Sequence, residues 1–369
     1  MDFTPSDEQL AAQELAARIF GDFSTHERLS AAGTGTDAEL WKALCVAGLA
    51  AATEDIGLLG LVLLLEEQGR TTAQVPLAAT GVYGLLAVAA HGTDEQRARL
   101  LPDLRDGTAV ATGAFPARGA AVRADTAGRL TGTVSPVPWL RDATHVLVPD
   151  AERALWFVRT MGDAVTVEPV ETTAPWSAGR LTLSGAPAER LGDAGTDGGG
   201  GSGGDVGGSG SGKGSGAYAS VLTAARTAFA GLQAGVCAGS LARAVAHTST
   251  REQFGRPLST NQGVLLRAAD AFMDTEAIRV TAYEAAWRLD AGQDAAAAAL
   301  TAGWWASEAG TRVVHAGQHL HGGAGADLDH PVHRHFLWGR QLDAYLGCGA
   351  ELLAELGQLL AKEPAHESR

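Results

Sequence analysis

Two turns in the C-terminal half of the sequence combine residue types that suit a phosphate-bearing ligand. The first covers residues 251–258 (REQFGRPL) and is followed by Gln262; the second contains His319 and the run Gly322-Gly323-Ala324-Gly325. A guanidinium forms paired hydrogen bonds with phosphate oxygens, and glycine lets a ligand approach the backbone because it has no Cβ. Either turn alone is a weak signal, since glycine pairs between helices are usually plain connections.

The composition narrows the choice of ligand and partner. Only three lysines (Lys42, Lys213 and Lys362) occur among the 28 basic residues, so arginine forks would have to meet a phosphate. The net charge of -14 argues against binding to nucleic acid or to anionic lipid headgroups. Three distant cysteines suggest neither a disulfide framework nor a zinc site. With no signal-peptide pattern and no apolar stretch of spanning length, we expect a soluble cytoplasmic protein.

The elements that must position the two turns begin with an N-terminal helical domain, residues 1–107. Pro5-Ser6-Asp7-Glu8 is a helix-start signature because it places a capping residue and first-turn acids before an apolar stripe. Further helices are predicted through residues 39–44, over the apolar run 58–65 with its end at Gly69, and from Asp94 to Leu104.

The pattern changes twice after residue 107. Residues 108–197 contain short β-branched and aromatic segments (145–148, 155–158 and 165–167), which predict an antiparallel β-domain. Residues 198–216 hold 12 glycines in 19 positions and predict a flexible linker. Residues 217–369 return to long helices at 221–250, 262–292, 294–320 and 331–360, which predict an antiparallel four-helix bundle. The expected fold class is α+β, mostly α.

Taken together, these features resemble the acyl-CoA dehydrogenase family of flavoproteins. The matching segments extend over nearly the whole chain: Phe3-Thr4 with Glu8-Gln9, residues 39–42, residues 92–96, the RxQFGxPL turn and the HGGxG turn. The resemblance implies an N-terminal helical domain, a middle β-domain and a C-terminal bundle that mediates tetramer formation. It also implies α,β-dehydrogenation of an acyl-CoA with FAD as cofactor.

In that family the two turns contact the adenine and pyrophosphate half of an FAD whose flavin ring rests on a neighbouring subunit. The resemblance implies cofactor contacts for Arg251, Gln253, Phe254, Gln262, His319, Gly322 and Gly323. Arg251 can clamp the pyrophosphate, while the two glycines allow close approach. Two assignments stay open: Phe254 is equally consistent with a core residue, and His319, where the family usually has Gln, with a solvent-facing helix end.

The resemblance fails at the catalytic base. Dehydrogenation needs a carboxylate that removes the α-proton while flavin N5 accepts the β-hydride. The family's usual Tyr-Glu-Gly turn falls on Tyr345-Leu346-Gly347, and the alternative Glu of the first bundle helix falls on Ala225. Residues 217–250 contain no Asp or Glu that a shifted register could recruit. Asp343 and Glu351 remain as less favoured candidates for a displaced base.

The middle domain departs from the family as well. The Thr-Glu-Pro and Gly-Ser-Asp loop, which hydrogen-bonds the flavin edge in the family, reads GAFPARGAA at residues 113–121, where only Pro116 and Gly119 match. The flavin-stacking Trp-Ile-Thr segment is matched at best by Trp139-Leu140-Arg141, and we expect Trp139 to be a core residue instead. The chain's own flavin pocket therefore looks degraded.

We hypothesise from these departures a non-catalytic subunit of a heteromeric (α2β2) enzyme. Residues 318–323 with Asp329, Pro331 and His333-Arg334 look like subunits of actinobacterial dehydrogenases that oxidise CoA thioesters of steroid side chains. A catalytic partner subunit would supply the Glu, hold the flavin ring and bind most of the acyl-CoA. Two alternatives stay open: a self-sufficient homotetrameric flavoenzyme with a displaced base, and a flavin-free scaffold protein.

Overall fold

The computed structural model describes residues 2–117, 119, 121–192 and 215–362. The helices within these ranges are α1 (Asp7–Phe23), α2 (His26–Ala31), α3 (Ala38–Val46), α4 (Leu49–Thr71), α5 (Leu77–Ala79), α6 (Ala87–His91), α7 (Asp94–Arg105), α8 (Ser215–Thr250), α9 (Gln262–Asp290), α10 (Ala296–Leu320), α11 (Pro331–Tyr345) and α12 (Gly349–Leu360). A π-helical segment, Thr80–Leu86, joins α5 to α6. The predicted linker 198–216 lies outside the described residues, except that residues 215 and 216 begin α8.

The strands lie between α7 and α8, apart from one small hairpin. They are β1 (Ala111–Gly113), β2 (Val122–Ala124), β3 (Arg129–Val137), β4 (His145–Pro149), β5 (Leu155–Arg159), β6 (Val165–Pro169), β7 (Gly179–Pro187) and β8 (Glu189–Arg190), with β9 (Glu252–Gln253) and β10 (Arg256–Pro257) forming the hairpin after α8. This order of helices, strands and helices confirms the predicted fold class.

Two details of the prediction are wrong. The middle domain is not wholly antiparallel, because β1 pairs with β4 in parallel. The helix predicted over residues 331–360 is two helices, α11 and α12, separated at residues 346–348. Gly347 has a φ of +118° there, a conformation that ends a helix and that glycine adopts readily. The apolar spacing continues through the break, so periodicity alone did not reveal it.

Capping explains why two of the predicted helix starts are correct. At the start of α1 the Ser6 hydroxyl accepts a hydrogen bond from the Gln9 amide at 3.3 Å, and the Gln9 side chain accepts one from the Ser6 amide at 2.9 Å. Thr93 and Gln96 form the same reciprocal capping box at the start of α7. Each box satisfies two backbone donors that have no partner inside the helix.

The chain divides into two compact units. The first unit is Met1–Gly33, Ile56–Gln74 and Thr223–Arg369; the second is Thr34–Asp55 and Val75–Leu222. The domains predicted from the sequence are continuous segments, whereas each compact unit combines segments that are separated in the chain. The predicted boundaries therefore stay predictions.

The first unit is built on close contact between α8 and α4. Three glycines four residues apart on α8 lie against three residues four apart on α4; the pairs are Gly231 with Val62, Gly235 with Glu66 and Gly239 with Arg70. A Cβ at Gly235 would overlap the Glu66 backbone. The spacing is that of helices whose four-residue ridges interlock, and glycine brings the two backbones into direct contact.

Helix α9 fixes the start of the straight part of α4. Gly57, with a φ of +70°, bends α4 near its first turns. Beyond this bend the Leu58 and Leu59 amides donate to the Asp290 carboxylate at 2.8 and 2.9 Å. Asp290, the last residue of α9, therefore caps α4 from a distant part of the chain, a role that resembles an N-cap side chain.

The second unit contains two four-stranded sheets, with strand orders β1-β4-β5-β8 and β2-β3-β7-β6. Alternate residues of both sheets enter one hydrophobic core, which includes Val146 and Val158 from one sheet and Leu130, Leu181 and Leu183 from the other. Burial of these aliphatic side chains stabilises the unit at roughly 25 cal/mol per Å² of apolar surface removed from water.

One helix of the described part, Gly216–Thr250, is long and apolar enough to cross a membrane, and the bent pair Ala38–Val46 with Leu49–Thr71 passes the same test as one span. Judged by length and composition, the expectation that no apolar stretch is long enough to span a membrane therefore does not hold for this helix. Inside the protein 72% of the most apolar window of Gly216–Thr250 is buried, as in the core helix of a soluble protein, so the indication of a membrane is weak.

Candidate functional site

The first predicted turn is a tight β-hairpin at the end of α8. Strands β9 and β10 pair across it, with Gln253 opposite Arg256. Phe254 and Gly255 form its tip with φ angles of +56° and +75°. Two positive φ values in sequence are typical of the two-residue hairpin turn that matches strand twist. The hairpin closes where the Leu258 amide donates to the Arg251 carbonyl at 2.9 Å.

The second predicted turn follows α10 and presents an open glycine surface. Gly322–Ala326 forms a 3-10 turn, stabilised by a hydrogen bond from the Gln318 side chain to the Gly325 carbonyl at 3.0 Å. Gly322 has a φ of +61°, and a Cβ built on Gly322 or Gly323 would meet no atom within 4 Å. Backbone at these two residues is therefore accessible to a ligand.

Stacked histidine rings bring the two turns to the same end of the bundle. His247, whose carbonyl accepts from the Arg251 amide at 2.8 Å, lies in the last turn of α8. His321 immediately precedes Gly322, and its ring stacks on His247 with a centroid distance of 4.7 Å and an interplanar angle of 28°. The structure therefore joins two segments that the sequence separates by more than sixty residues.

The predicted cofactor residues lie on the surface around these turns. Arg251, Gln253, Gln262 and His319 are exposed, as are Gly322 and Gly323. The Arg251 guanidinium forms no ion pair with any residue that the structure describes. Phe254 is 100% exposed, so the core alternative is wrong for this chain by itself. His319 is a solvent-facing helix-end residue, which leaves its predicted contact with a cofactor open.

Both family positions for the catalytic base hold buried apolar side chains. Ala225 is fully buried on α8, and Leu346 is buried at the break after α11. Beside Ala225, the Arg226 guanidinium donates two hydrogen bonds to the Glu355 carboxylate of α12, at 2.9 and 2.6 Å. Beside Leu346, the Tyr345 ring packs edge-on against Phe229 at 4.7 Å. The immediate surroundings of the two positions are filled by protein contacts.

The two candidates for a displaced base have structural partners. The Asp343 carboxylate accepts a hydrogen bond from the Ser307 hydroxyl and lies 3.3 Å from the Arg340 guanidinium. The Glu351 carboxylate accepts from the Cys348 amide at 3.2 Å and so caps α12. Both carboxylates are therefore engaged by hydrogen bonds or an ion pair within this chain.

In the second unit, an aromatic stack packs the loop that differs from the family's flavin loop. Phe115 lies between Tyr83 and Tyr218, with centroid distances of 5.1 and 5.4 Å, and all three side chains are buried. The Tyr218 hydroxyl accepts from the Ala117 amide at 3.1 Å, and the Arg153 guanidinium lies 5.2 Å from the centre of its ring. This loop region is therefore packed by aromatic side chains of the chain itself.

Trp139 has the structure of a core residue, as the sequence predicted. Its side chain is fully buried and stacks on Trp176 with a centroid distance of 4.5 Å. A ring buried in this way has its faces occupied by protein, so it has no free face for a flavin.

The structure places three histidines beside the two turns that were not among the predicted cofactor residues: His247, His321 and His330. His321 and His330 contact each other at 4.9 Å, and His321 also contacts His247. One signal was available, since six of the eleven histidines lie between residues 315 and 335. Among the described residues no group of three or more His, Cys, Asp or Glu could hold a metal ion.

These features define a helical and β-sheet protein with an open, arginine- and glycine-containing surface at one end of a helical bundle. Family models for the acyl-CoA dehydrogenase N-terminal and C-terminal domains match residues 6–108 and 212–357. The acyl-CoA dehydrogenase FadE27 of Mycobacterium tuberculosis is 33% identical over 99% of this chain and 100% of its own length. The chain belongs to the acyl-CoA dehydrogenase family.

Solved structures of two paired proteins are similar over almost the whole length. A variant of the Tcur3481-Tcur3483 steroid ACAD is 40% identical, covers 96% of this chain and 98% of its own, and has a TM-score of 0.85. The ChsE4-ChsE5 complex from Mycobacterium tuberculosis is 32% identical, covers 99% and 100%, and has a TM-score of 0.87. Both similar chains occur with a second, differently named chain.

Proposed function

We propose that this chain is the non-catalytic subunit of a heteromeric, FAD-dependent acyl-CoA dehydrogenase. The observation that carries the proposal is a contrast within the first unit. Both family positions for the base are buried and apolar, at Ala225 and Leu346, whereas the two turns meet in an open surface. One half of a site is retained, and the half that performs proton abstraction is absent.

The retained turns fit the adenine and pyrophosphate half of FAD. The exposed Arg251 guanidinium clamps the pyrophosphate through charge-assisted hydrogen bonds, and Gly322 and Gly323 offer backbone that no side chain covers. Gln253, Gln262 and His319 supply polar contacts around them. The bound FAD would accept the β-hydride of the substrate; residues of this chain hold its nucleotide half from across the subunit interface.

The flavin ring itself does not fit the loop of this chain's second unit. The Tyr83, Phe115 and Tyr218 rings pack against one another there, and Trp139 is stacked on Trp176. In the proposed complex the partner subunit therefore holds the flavin ring, supplies the catalytic Glu and binds most of the acyl-CoA.

A second surface of the first unit supports the proposal that this chain binds a partner. On α9, Leu265 and Phe272 are seven residues apart, as are Leu266, Met273 and Val280, and these five side chains are between 48% and 61% exposed. A seven-residue apolar repeat forms a seam along one face of a helix, and such seams are buried against another helix. Next to it lies a groove of about 690 Å³, whose lining includes Arg267, Asp270 and Arg312.

The substrate class in this proposal is a CoA thioester of a steroid side chain. It rests on the similarity to the steroid ACAD structure, while the heteromeric form rests on that structure and on the ChsE4-ChsE5 complex. The most direct test is purification of the chain alone and after co-expression with a second acyl-CoA dehydrogenase chain from the same organism. We expect the lone chain to be colourless and inactive and the complex to be yellow and active. A yellow, active homotetramer would overturn the proposal.

A single substitution tests the half-site. Arg251→Ala removes the proposed pyrophosphate clamp, so the purified complex should lose most of its FAD at unchanged subunit stoichiometry. Truncation of a charge-paired side chain typically costs 2–5 kcal/mol, roughly 30-fold or more in affinity. Arg123→Ala, which removes an exposed guanidinium from the second unit, is the matched control. Equal flavin content in both variants would remove Arg251 from the site.

A further inference from the structure

Three imidazole rings form a continuous cluster between the two turns. His321 is only 6% exposed and is the central ring. One of its contacts is the stack with His247 at 4.7 Å, and the other is an edge contact with His330 at 4.9 Å. Because His247 precedes the Arg251 hairpin, His321 precedes Gly322 and His330 precedes α11, the cluster joins all three segments.

The hydrogen bonds of the cluster fix a proton on one ring nitrogen of His321 and exclude one from a ring nitrogen of His330. His321 Nδ1 lies 2.7 Å from the Gly317 carbonyl, so it must carry a proton and donate it. His330 Nδ1 accepts from the Val332 amide at 3.2 Å and so caps α11 with an unprotonated nitrogen. A proton on His330 Nδ1 would break this cap, since that nitrogen could no longer accept.

The charges around the cluster oppose protonation. Burial lowers the pKa of His321 below its usual value, and the nearby His247, His330 and Arg243 lower it further, while the Gly317 carbonyl acts in the opposite direction. Burial also lowers the pKa of His330, helped by His247, Arg243 and His26 of α2. The Asp327 carboxylate, at the end of the glycine turn, acts in the opposite direction and favours the charged form of His330.

We propose that His247, His321 and His330 are positioning residues that hold the two turns of the half-site together, and that they do so only while His321 and His330 are uncharged. The inference rests on the proposed function for its ligand, but the contacts that carry it lie within this chain. Protonation of His321 and His330 puts like charges next to one another and near Arg243. The hairpin and the glycine turn then separate, and a pyrophosphate loses one side of its site.

Hydrogen exchange of the lone chain tests the positioning without any flavin. Exchange of segments 251–258 and 322–332, corrected for the intrinsic effect of pH, is compared at pH 7.5, 6.5 and 5.5. One proton taken up on separation changes the equilibrium by about tenfold per pH unit below the ordinary histidine pKa. Because half of a free histidine is already charged at pH 6.5, we expect protection in both segments to fall by about fivefold or more between pH 6.5 and 5.5. Unchanged protection would overturn the proposal.

Two substitutions of His247 test the role of ring stacking. His247→Phe keeps a stacking ring, so both segments should be protected at pH 7.5 and should still lose protection as the pH falls, because His321 and His330 are unchanged. His247→Ala removes the ring, and protection should be low throughout. The control is His315→Gln, which changes an exposed histidine outside the cluster and should behave like the unmodified chain. A His247→Phe chain with the same low protection as His247→Ala at pH 7.5 would overturn the role of the stacked ring.

The flavin content of the complex provides the second readout. We expect the unmodified and His247→Phe complexes to contain FAD at pH 7.5 and to lose it at pH 5.5, and the His247→Ala complex to contain little at either pH. If no complex binds FAD, the proposed function fails while hydrogen exchange still decides the positioning role. If FAD binds equally to all three at both pH values and exchange is unchanged, only the histidine inference fails.

Discussion

Burial of His335 makes the stability of this protein depend on pH in a predictable direction. His335 lies on α11 and is 1% exposed. Its Nε2–H donates to the Arg70 carbonyl of α4 at 3.0 Å, and Gly239 of α8 lies so close that a Cβ there would overlap the ring. Burial lowers the pKa of His335 from 6.5 to about 4, because an imidazolium here would have no water around it.

The sign and size of the effect follow from the two pKa values. Below pH 6.5 the unfolded chain takes up a proton at His335, while the folded chain stays neutral until about pH 4. The folded state therefore loses stability as the pH falls through this window, by up to about 1.4 kcal/mol per pH unit. Between pH 7.5 and 4.5 the expected loss from this one residue is roughly 2 to 3 kcal/mol.

Urea unfolding followed by far-UV circular dichroism at pH 7.5 and 4.5 measures this loss. His335→Gln is the informative variant because its side-chain amide can still donate to the Arg70 carbonyl but cannot titrate. Other histidines contribute equally to the unmodified protein and to the variant, so the informative quantity is the difference between their two losses of unfolding free energy. Between pH 7.5 and 4.5 the unfolding free energy of the variant should fall by roughly 2 to 3 kcal/mol less than that of the unmodified protein. Equal losses would refute the assignment of a neutral, buried His335.

Three further substitutions have definite expected outcomes. Gly235→Ala should lower the unfolding free energy by about 1–3 kcal/mol in a denaturant titration, because its Cβ would overlap the Glu66 backbone; an unchanged midpoint would contradict the close packing of α8 on α4. Arg279→Met should cost about 3–5 kcal/mol at neutral pH and less at acid pH, since it removes the ion pair of the buried Glu66 carboxylate and leaves that carboxylate only its contact with Tyr283 and the more distant charge of Arg70. Burial already raises the pKa of Glu66, so a loss that is the same at both pH values would count against this reasoning. Leu346→Glu should lower the melting temperature and give a lone chain with no dehydrogenase activity, because the restored carboxylate stands in a buried apolar position; measurable turnover would show that the base alone was missing.

Local signals in the sequence were sufficient for most of the fold. The capping pairs Ser6–Gln9 and Thr93–Gln96 act within four residues, so the starts of α1 and α7 were predictable. The apolar periodicity of α8, α9 and α10 is similarly local. What local patterns could not give was pairing between distant segments. The parallel partner of β1 and the cap that Asp290 provides to α4 depend on residues more than thirty positions away.

The site was predictable in its parts and not in its arrangement. Residue types and spacing pointed to Arg251 and the glycine turn, and the absence of acids from α8 pointed to a missing base. The contact that unites the turns is between His247 and His321; His321 begins the HGGxG turn, but nothing in the sequence indicates that its ring stacks on His247. Phe254 shows the same limit, because a phenylalanine in sequence gives no sign of whether it is core or fully exposed.

A contrast between the buried Leu346 and the exposed hairpin tip at Phe254 supports the proposal that this chain contributes residues to a site on a partner subunit. Leu346 is buried where a catalytic carboxylate would stand, and burying a leucine side chain stabilises a protein by about 1.5–3 kcal/mol. The hairpin tip has the opposite character, because Phe254 combines full exposure with a φ of +56°, a conformation that costs roughly 1–2 kcal/mol in an L-residue. Backbone strain of this kind persists mainly at sites of binding or switching. Leu346 is thus already buried within this chain, whereas in the proposed complex a partner subunit would cover the exposed Phe254 tip.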